Sequence, residues 1–181
     1  MLLKVVAVAS LAALAGCPSS ESSACKVPAG PLAAELVVVD DADTIIIAHD
    51  GDTVPLHYAP QGGHILLVGA RVHVDENCQY QATGSLRDPA TNRVIGVEQR
   101  SMIVASTGDG WSQPDNQLSS LPNIAVCPNY ATGSSVSGAM YELEVALRVG
   151  DQMVADVKVM VTPTCAADDT YCQSDCGAHQ L

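Results

Sequence analysis

The 181-residue chain contains no phenylalanine and a single tryptophan, Trp111, beside five tyrosines. A core without Phe has to be assembled from Val, Ile, Leu, Ala and Met. Aromatic platforms on which bases stack are equally scarce, which counts against single-strand nucleic-acid binding. Basic side chains are few: eight Lys and Arg stand against 20 Asp and Glu, a net charge of −12. A surface of that sign repels phosphate backbones and anionic headgroups, so no nucleic-acid partner is expected. GxSxG, HExxH and a phosphate-cradling glycine loop ahead of a helix are all missing. No catalytic residue is therefore assigned, and the chain is not read as an enzyme. Nor does any apolar run approach the roughly 20 residues that a bilayer-spanning helix needs.

The one apolar run of note is short and lies at the start, from Val5 to Ala15 behind the basic Lys4. It closes on Leu14-Ala15-Gly16-Cys17. This arrangement resembles a bacterial lipobox, with a basic start, an apolar stretch, small residues and then cysteine. The resemblance implies cleavage between Gly16 and Cys17 and a covalent lipid on Cys17, with no other cofactor expected. Several acyl chains anchor durably, so the membrane becomes a partner and the bacterial cell envelope the expected location. Pro18 stands where an Asp favours inner-membrane retention in enteric bacteria, which tilts the expectation toward the outer membrane. Removing residues 1–16 also removes Lys4 and takes the net charge from −12 to −13.

Setting Cys17 aside leaves Cys25, Cys78, Cys127, Cys165, Cys172 and Cys176. An even number in an exported chain reads as up to three disulfides. A zinc site from Cys165, Cys172, Cys176 and His179 is the competing reading, but it lacks a CxxC element and oxidation opposes it.

Residues 17–34, rich in Ser, Pro and Ala, read as lipidated Cys plus flexible tether, with Cys25 pinning it to the domain. From residue 35 to 163 short β-branched runs alternate with turns. Leu36–Val39, Thr44–Ala48, Thr53–His57, His64–Val74 and Gln79–Arg87 are the stronger runs, and Val94–Glu98 and Met102–Ala105 the weaker. The clearest unit is a hairpin over Met140–Val161. Tyr141, Leu143, Val145, Leu147 and Val149 alternate with mostly polar residues. Met153, Ala155, Val157, Val159 and Val161 do the same beyond the Gly150-Asp151 turn. Such alternation means one buried and one wet face, as in antiparallel sheets. No helical period is evident, and residues 164–181 read as a Cys-rich tail. The expected fold is all-β: a disulfide-stabilised, immunoglobulin-like antiparallel sandwich of about seven strands. Tyr141 is placed to act as its tyrosine corner or as an ordinary strand aromatic. Cys127 precedes the hairpin and Cys165 follows it, so both fall at one end and Cys127–Cys165 is the expected bridge.

Among candidate sites, Pro60-Gln61-Gly62-Gly63 joins two strand runs and is flanked by His57 and His64. If those strands pair, the histidines face each other and hold Cu(II) or Zn(II) with His49 or His73 as third ligand. The competing reading is a structural loop with half-exposed histidines at its ends. A PQGG loop before His or an aromatic resembles a feature of small, uncharacterised lipoproteins of myxobacteria and their relatives. That likeness, with the lipobox and the Tyr-initiated hairpin, implies a lipoprotein with a β domain and carries no catalytic residues. Asp40–Asp43 and Asp50-Gly51-Asp52 do not fit a calcium loop and read as solvated turns. Ser106–Ser120 is a long polar loop in which Trp111 either anchors a partner or folds back onto the core. The contact surface is expected at one pole, on Pro60, Gln61, Gly62 and Gly63 with Trp111, facing an envelope protein.

Overall fold

The computed structural model describes residues 25–26, 28–128 and 135–177. Gly16 and Cys17 fall outside that set, as does His179. Among the described residues the chain is all-β apart from one short helix. Its strands are β1 (Ala34–Val39), β2 (Ile45–Ile47), β3 (Asp52–Pro55), β4 (His57–Tyr58), β5 (His64–Val72) and β6 (Cys78–Asp88). They continue with β7 (Arg93–Ser106), β8 (Ser112–Pro114), β9 (Asn123–Cys127), β10 (Tyr141–Val149) and β11 (Gln152–Thr164). The helix α1 spans Thr170–Cys176.

Period-two patterning decides which strands form the core. On β6, Cys78, Tyr80, Ala82, Gly84 and Leu86 are buried, while Gln79, Gln81 and Thr83 between them are partly exposed. Their register partners on β10 follow suit: Leu143 opposes Leu86, Val145 opposes Gly84 and Leu147 opposes Ala82. Same-face pairs of this kind are what stabilise a sheet. One layer runs β7–β6–β10–β11 antiparallel, with β3 added parallel to β11. The other is centred on β5, whose first half pairs with β4 and β9 and whose second half pairs with β1 and β8. β8 also pairs with the end of β7, which makes the hydrogen-bonded network continuous.

The layers approach closely where a side chain is missing. A Cβ on Gly84 would lie 2.6 Å from Val68 Cγ2, and one on Gly69 would lie 3.2 Å from Met102 Sδ. Strands number eleven because β2, β3, β4 and β8 are short additions to seven longer or central ones. Val94–Glu98 and Met102–Ala105 fuse into the single 14-residue β7. The β10–β11 hairpin holds a bulge between Leu147 and Arg148 that pairs Met153 with Arg148. Met153 therefore points outward, 50% exposed, and Val154 turns inward in its place. Strict alternation placed Met153 inside; one extra residue reverses it. The described part of the N-terminal stretch is docked, since Leu32 N donates to Val154 O and the buried Cys25 is bridged to Cys78.

Tyr80 is the largest of the fully buried side chains. Burial, with a contribution from the nearby Glu76 carboxylate, pushes its phenol up to about 12. The folded state thus holds this proton more tightly than the unfolded chain does. That stability is fully present below pH 10 and is lost as pH rises through about 12. The loss amounts to about 2–3 kcal/mol. Urea midpoints should fall across this window and fall less in Tyr80→Phe; a flat profile would refute the linkage.

Candidate functional site

The loop from Ala59 to Gly63 lies at the start of β5, beside β9 and opposite the middle of β7. Ala59 N donates to Gly63 O and Gly62 N to Ala59 O, closing a tight turn. Gly62 and Gly63 both adopt positive φ, at 94° and 78°. This turn borders a cleft of about 440 Å³, lined by Pro60, Gln61 and Gly62 on one side and by Glu98, Arg100 and Asn123 on the other. That volume is in the range of small-ligand sites. A second hollow of about 500 Å³ adjoins it, sharing Leu118 and Ser119 and bordered by His57 and Tyr58.

The polar wall of the cleft is prearranged. Arg100 Nη2 meets Glu98 Oε1 at 2.5 Å, and Arg100 Nη1 donates to Leu118 O. The second oxygen of Glu98 accepts from Asn123 N, while Asn123 Nδ2 donates to Leu118 O at 3.0 Å. Asn123 Oδ1 is buried without a hydrogen-bond partner among the described residues. Leaving such an acceptor unsatisfied costs about 1–3 kcal/mol. The floor holds a second unsatisfied group. His64 is 1% exposed and neither ring nitrogen has a hydrogen-bond partner among the described residues. Asp169 Oδ2 is 3.6 Å from its Nε2, which is beyond hydrogen-bond range. The rings of Tyr58 and Tyr171 lie over it, each with its centroid 5.8 Å away.

The histidine pair expected to bind metal is not formed. In the β4–β5 register His57 opposes Ile65 and His64 opposes Tyr58. A one-residue offset sends the two imidazoles to opposite faces of the pair. His57 Nε2 is instead 3.0 Å from Val39 O. The proposed third ligands are elsewhere: His49 contacts Asp52, and His73 packs on Trp111 with centroids 5.0 Å apart.

Trp111 does not join the pole with Pro60–Gly63. It lies near the far end of β5, where Arg71 sits 4.4 Å over its ring, and is half-buried. Cation–π contact with a side chain of its own domain marks it as folded back rather than presented. Asn116 to Ser119, from the same polar stretch, do reach the cleft region. The acidic turns use their carboxylates internally. Asp40 Oδ1 accepts from Ala42 N and Thr44 N, and Asp50 Oδ1 accepts from Met160 N across to β11.

All six described cysteines are paired, but not with Cys127 bridged to Cys165. The bridges are Cys25–Cys78, Cys127–Cys176 and Cys165–Cys172. Cys127 and Cys165 do fall at one end, yet α1 folds back there and offers Cys172 and Cys176 as nearer partners. The sulfurs named for a zinc site are thereby consumed. Sequence reasoning missed Glu98, Arg100 and Asn123, whose spacing carries no motif and which meet only because β9 crosses β7.

No family resemblance supplies a function. The chain matches no protein-family model, no curated protein and no solved structure.

Proposed function

We propose that this chain is a lipid-anchored protein of the bacterial cell envelope whose β domain binds a partner in the cleft beside Pro60–Gly62, without catalysis. The observation that carries the reading is the cleft itself: a concave wall with a fixed Glu98–Arg100 ion pair beside Asn123. A wall with fixed charges of both signs suits an occupant that presents both N–H and C=O groups, as an extended segment of an envelope protein does. The lipid anchor is supported by Gly16-Cys17 after a short apolar leader, and likeness to small myxobacterial lipoproteins is part of the same reading. Pro18 favours the outer membrane.

The domain is further proposed to be an immunoglobulin-like sandwich. Seven principal strands support it, with β1–β5–β9 as one layer and β7–β6–β10–β11 as the other. Tyr141, at the start of the penultimate strand, donates from Oη to Ser135 O at 3.0 Å, the contact that defines a tyrosine corner. Tyr80 occupies the strand that carries the core aromatic in such sandwiches.

A photo-crosslinking residue at Gln61 tests the binding surface in intact envelopes. A defined adduct that disappears in Arg100→Ala is expected, whereas the same residue at Val97, outside the cleft, should give none. Absence of any adduct at Gln61 would overturn the reading. Cys17→Ser should release the chain from membranes and abolish incorporation of labelled palmitate.

A further inference from the structure

The pole beneath the cleft holds more sulfur chemistry than a binding module requires. The ligand atoms of His64, Cys127 and Cys176 lie within 4.8 Å of one another, as do the sulfurs of Cys165, Cys172 and Cys176. So do those of His64, Asp169 and Cys172. Two disulfides, Cys127–Cys176 and Cys165–Cys172, thus pack side by side around one buried imidazole. They are not equally accessible: Cys165 is partly exposed, whereas Cys127, Cys172 and Cys176 are buried. His64 has no hydrogen-bond partner among the described residues, although it is buried among sulfur, carboxylate and aromatic rings. A buried imidazole without a partner needs a reason, and proton transfer to a sulfur freed when one of these bridges opens supplies one.

We propose that these four cysteines form a disulfide relay that accepts electrons from an external dithiol at Cys165 and delivers the free thiol to Cys127. In the first step one thiol of the dithiol attacks Cys165 Sγ. The Cys165–Cys172 bond breaks and its electron pair leaves on Cys172 Sγ. The attacking thiol's proton is released to solvent at the partly exposed Cys165, and an equivalent proton is taken up by His64, within 4.8 Å of Cys172 Sγ. Asp169 balances that charge at 3.6 Å. In the second step the Cys172 thiolate attacks Cys176 Sγ, forming Cys172–Cys176 and releasing Cys127. His64 returns its proton there, since its ring lies within 4.8 Å of the sulfur released in each step. The second thiol of the reductant then displaces Cys165. The dithiol is oxidised by two electrons to a disulfide, and the protein ends with thiols at Cys165 and Cys127. Cys172 and Cys176 are four residues apart on α1, where Cβ atoms stand about 5–6 Å apart. A disulfide needs about 3.5–4.5 Å, so the last turn of α1, which ends at Cys176, unwinds as the new bridge forms.

The purified full-length chain should be treated with one equivalent of dithiothreitol, quenched in acid, alkylated and mapped by mass spectrometry. Cleavage before Asp168, Asp169 and Asp175 separates the three C-terminal cysteines. The expected product carries alkyl groups on Cys165 and Cys127, a Cys172–Cys176 bridge, and an intact Cys25–Cys78. Label on Cys165 and Cys172 with Cys127–Cys176 retained would overturn the relay, as would failure of the Cys165 bridge to open. Cys165→Ser reads the same step without a reductant: a Cys172–Cys176 bridge with free Cys127 is expected, and a free Cys172 refutes it. His64→Asn should slow the appearance of free Cys127 on the order of a hundredfold at neutral pH, a deficit that shrinks as pH rises. An unchanged rate and pH profile would remove His64 from the mechanism.

Discussion

Replacing Cys127 and Cys176 together by alanine is expected to lower the unfolding free energy by about 4 kcal/mol. The bridge joins positions 49 residues apart and connects the end of β9 to the end of α1, so it constrains much of the unfolded chain. Beyond Cys165–Cys172 and the Tyr171 ring beside Tyr58 and His64, the seven-residue α1 has little else to hold it. A helix that short is not stable in isolation, and its buried residues are Cys172 and Cys176. Its capping contacts are local: Asp169 Oδ1 accepts from Cys172 N, and Gly177 N donates to Gln173 O. Ser135 Oγ, Val136 N and Ser137 N all bond the carbonyl of Cys176, so the segment before β10 loosens with the helix. The double variant should therefore lose amide protection in α1 and at Val136 and Ser137 while the sheet keeps its own. Removing Cys165–Cys172 instead closes a separation of only seven residues and should cost about 2 kcal/mol. Urea denaturation with hydrogen exchange on both variants checks the order; equal midpoints would refute the loop-length account.

Much of the sheet was legible because burial alternates with the residue count. β6 and β10 read directly, since Tyr80, Ala82, Leu86, Leu143, Val145 and Leu147 all face one core. What failed depended on single-residue offsets or on distant partners. The register that separates His57 from His64 is set by the Ala59–Gly63 turn, and shifting it by one residue would have brought them together. Ser112–Pro114 is a strand of three residues, read as loop because Ser, Gln and Pro carry no strand signal. Its support is tertiary: the buried Ser112 Oγ lies 2.7 Å from Val74 O and 2.8 Å from Glu76 O. Asn123–Cys127 likewise depends on β5 for its pairing. α1 is too short to display a 3.6-residue period, and without α1 the correct partner of Cys127 could not be chosen. The cleft shows the same division. Pro60, Gln61 and Gly62 stood out locally, whereas Glu98, Arg100 and Asn123 became visible only when β7 and β9 crossed.

Gly63→Ala is expected to destabilise the domain by about 3 kcal/mol, and Gly62→Ala by only about 1 kcal/mol. Both residues hold positive φ, so either alanine strains the backbone. Their surroundings differ. A Cβ on Gly62 meets nothing within 4 Å, leaving strain as the only cost. At Gly63 it would lie 2.6 Å from Cys127 O and 3.3 Å from Pro128 Cδ. The carbonyl belongs to a cysteine that is bridged to Cys176 and paired in register with His64, so it cannot withdraw as a flexible side chain would. The loop must move instead, carrying Pro60 and Gln61 away from the Glu98–Arg100 wall and opening the cleft. Gly62→Ala should thus retain crosslinking through Gln61 at slightly reduced stability, while Gly63→Ala should lose it even at temperatures where the sheet remains folded. Equal stability losses in the two variants would show that loop strain alone, and not contact with Cys127, requires the second glycine.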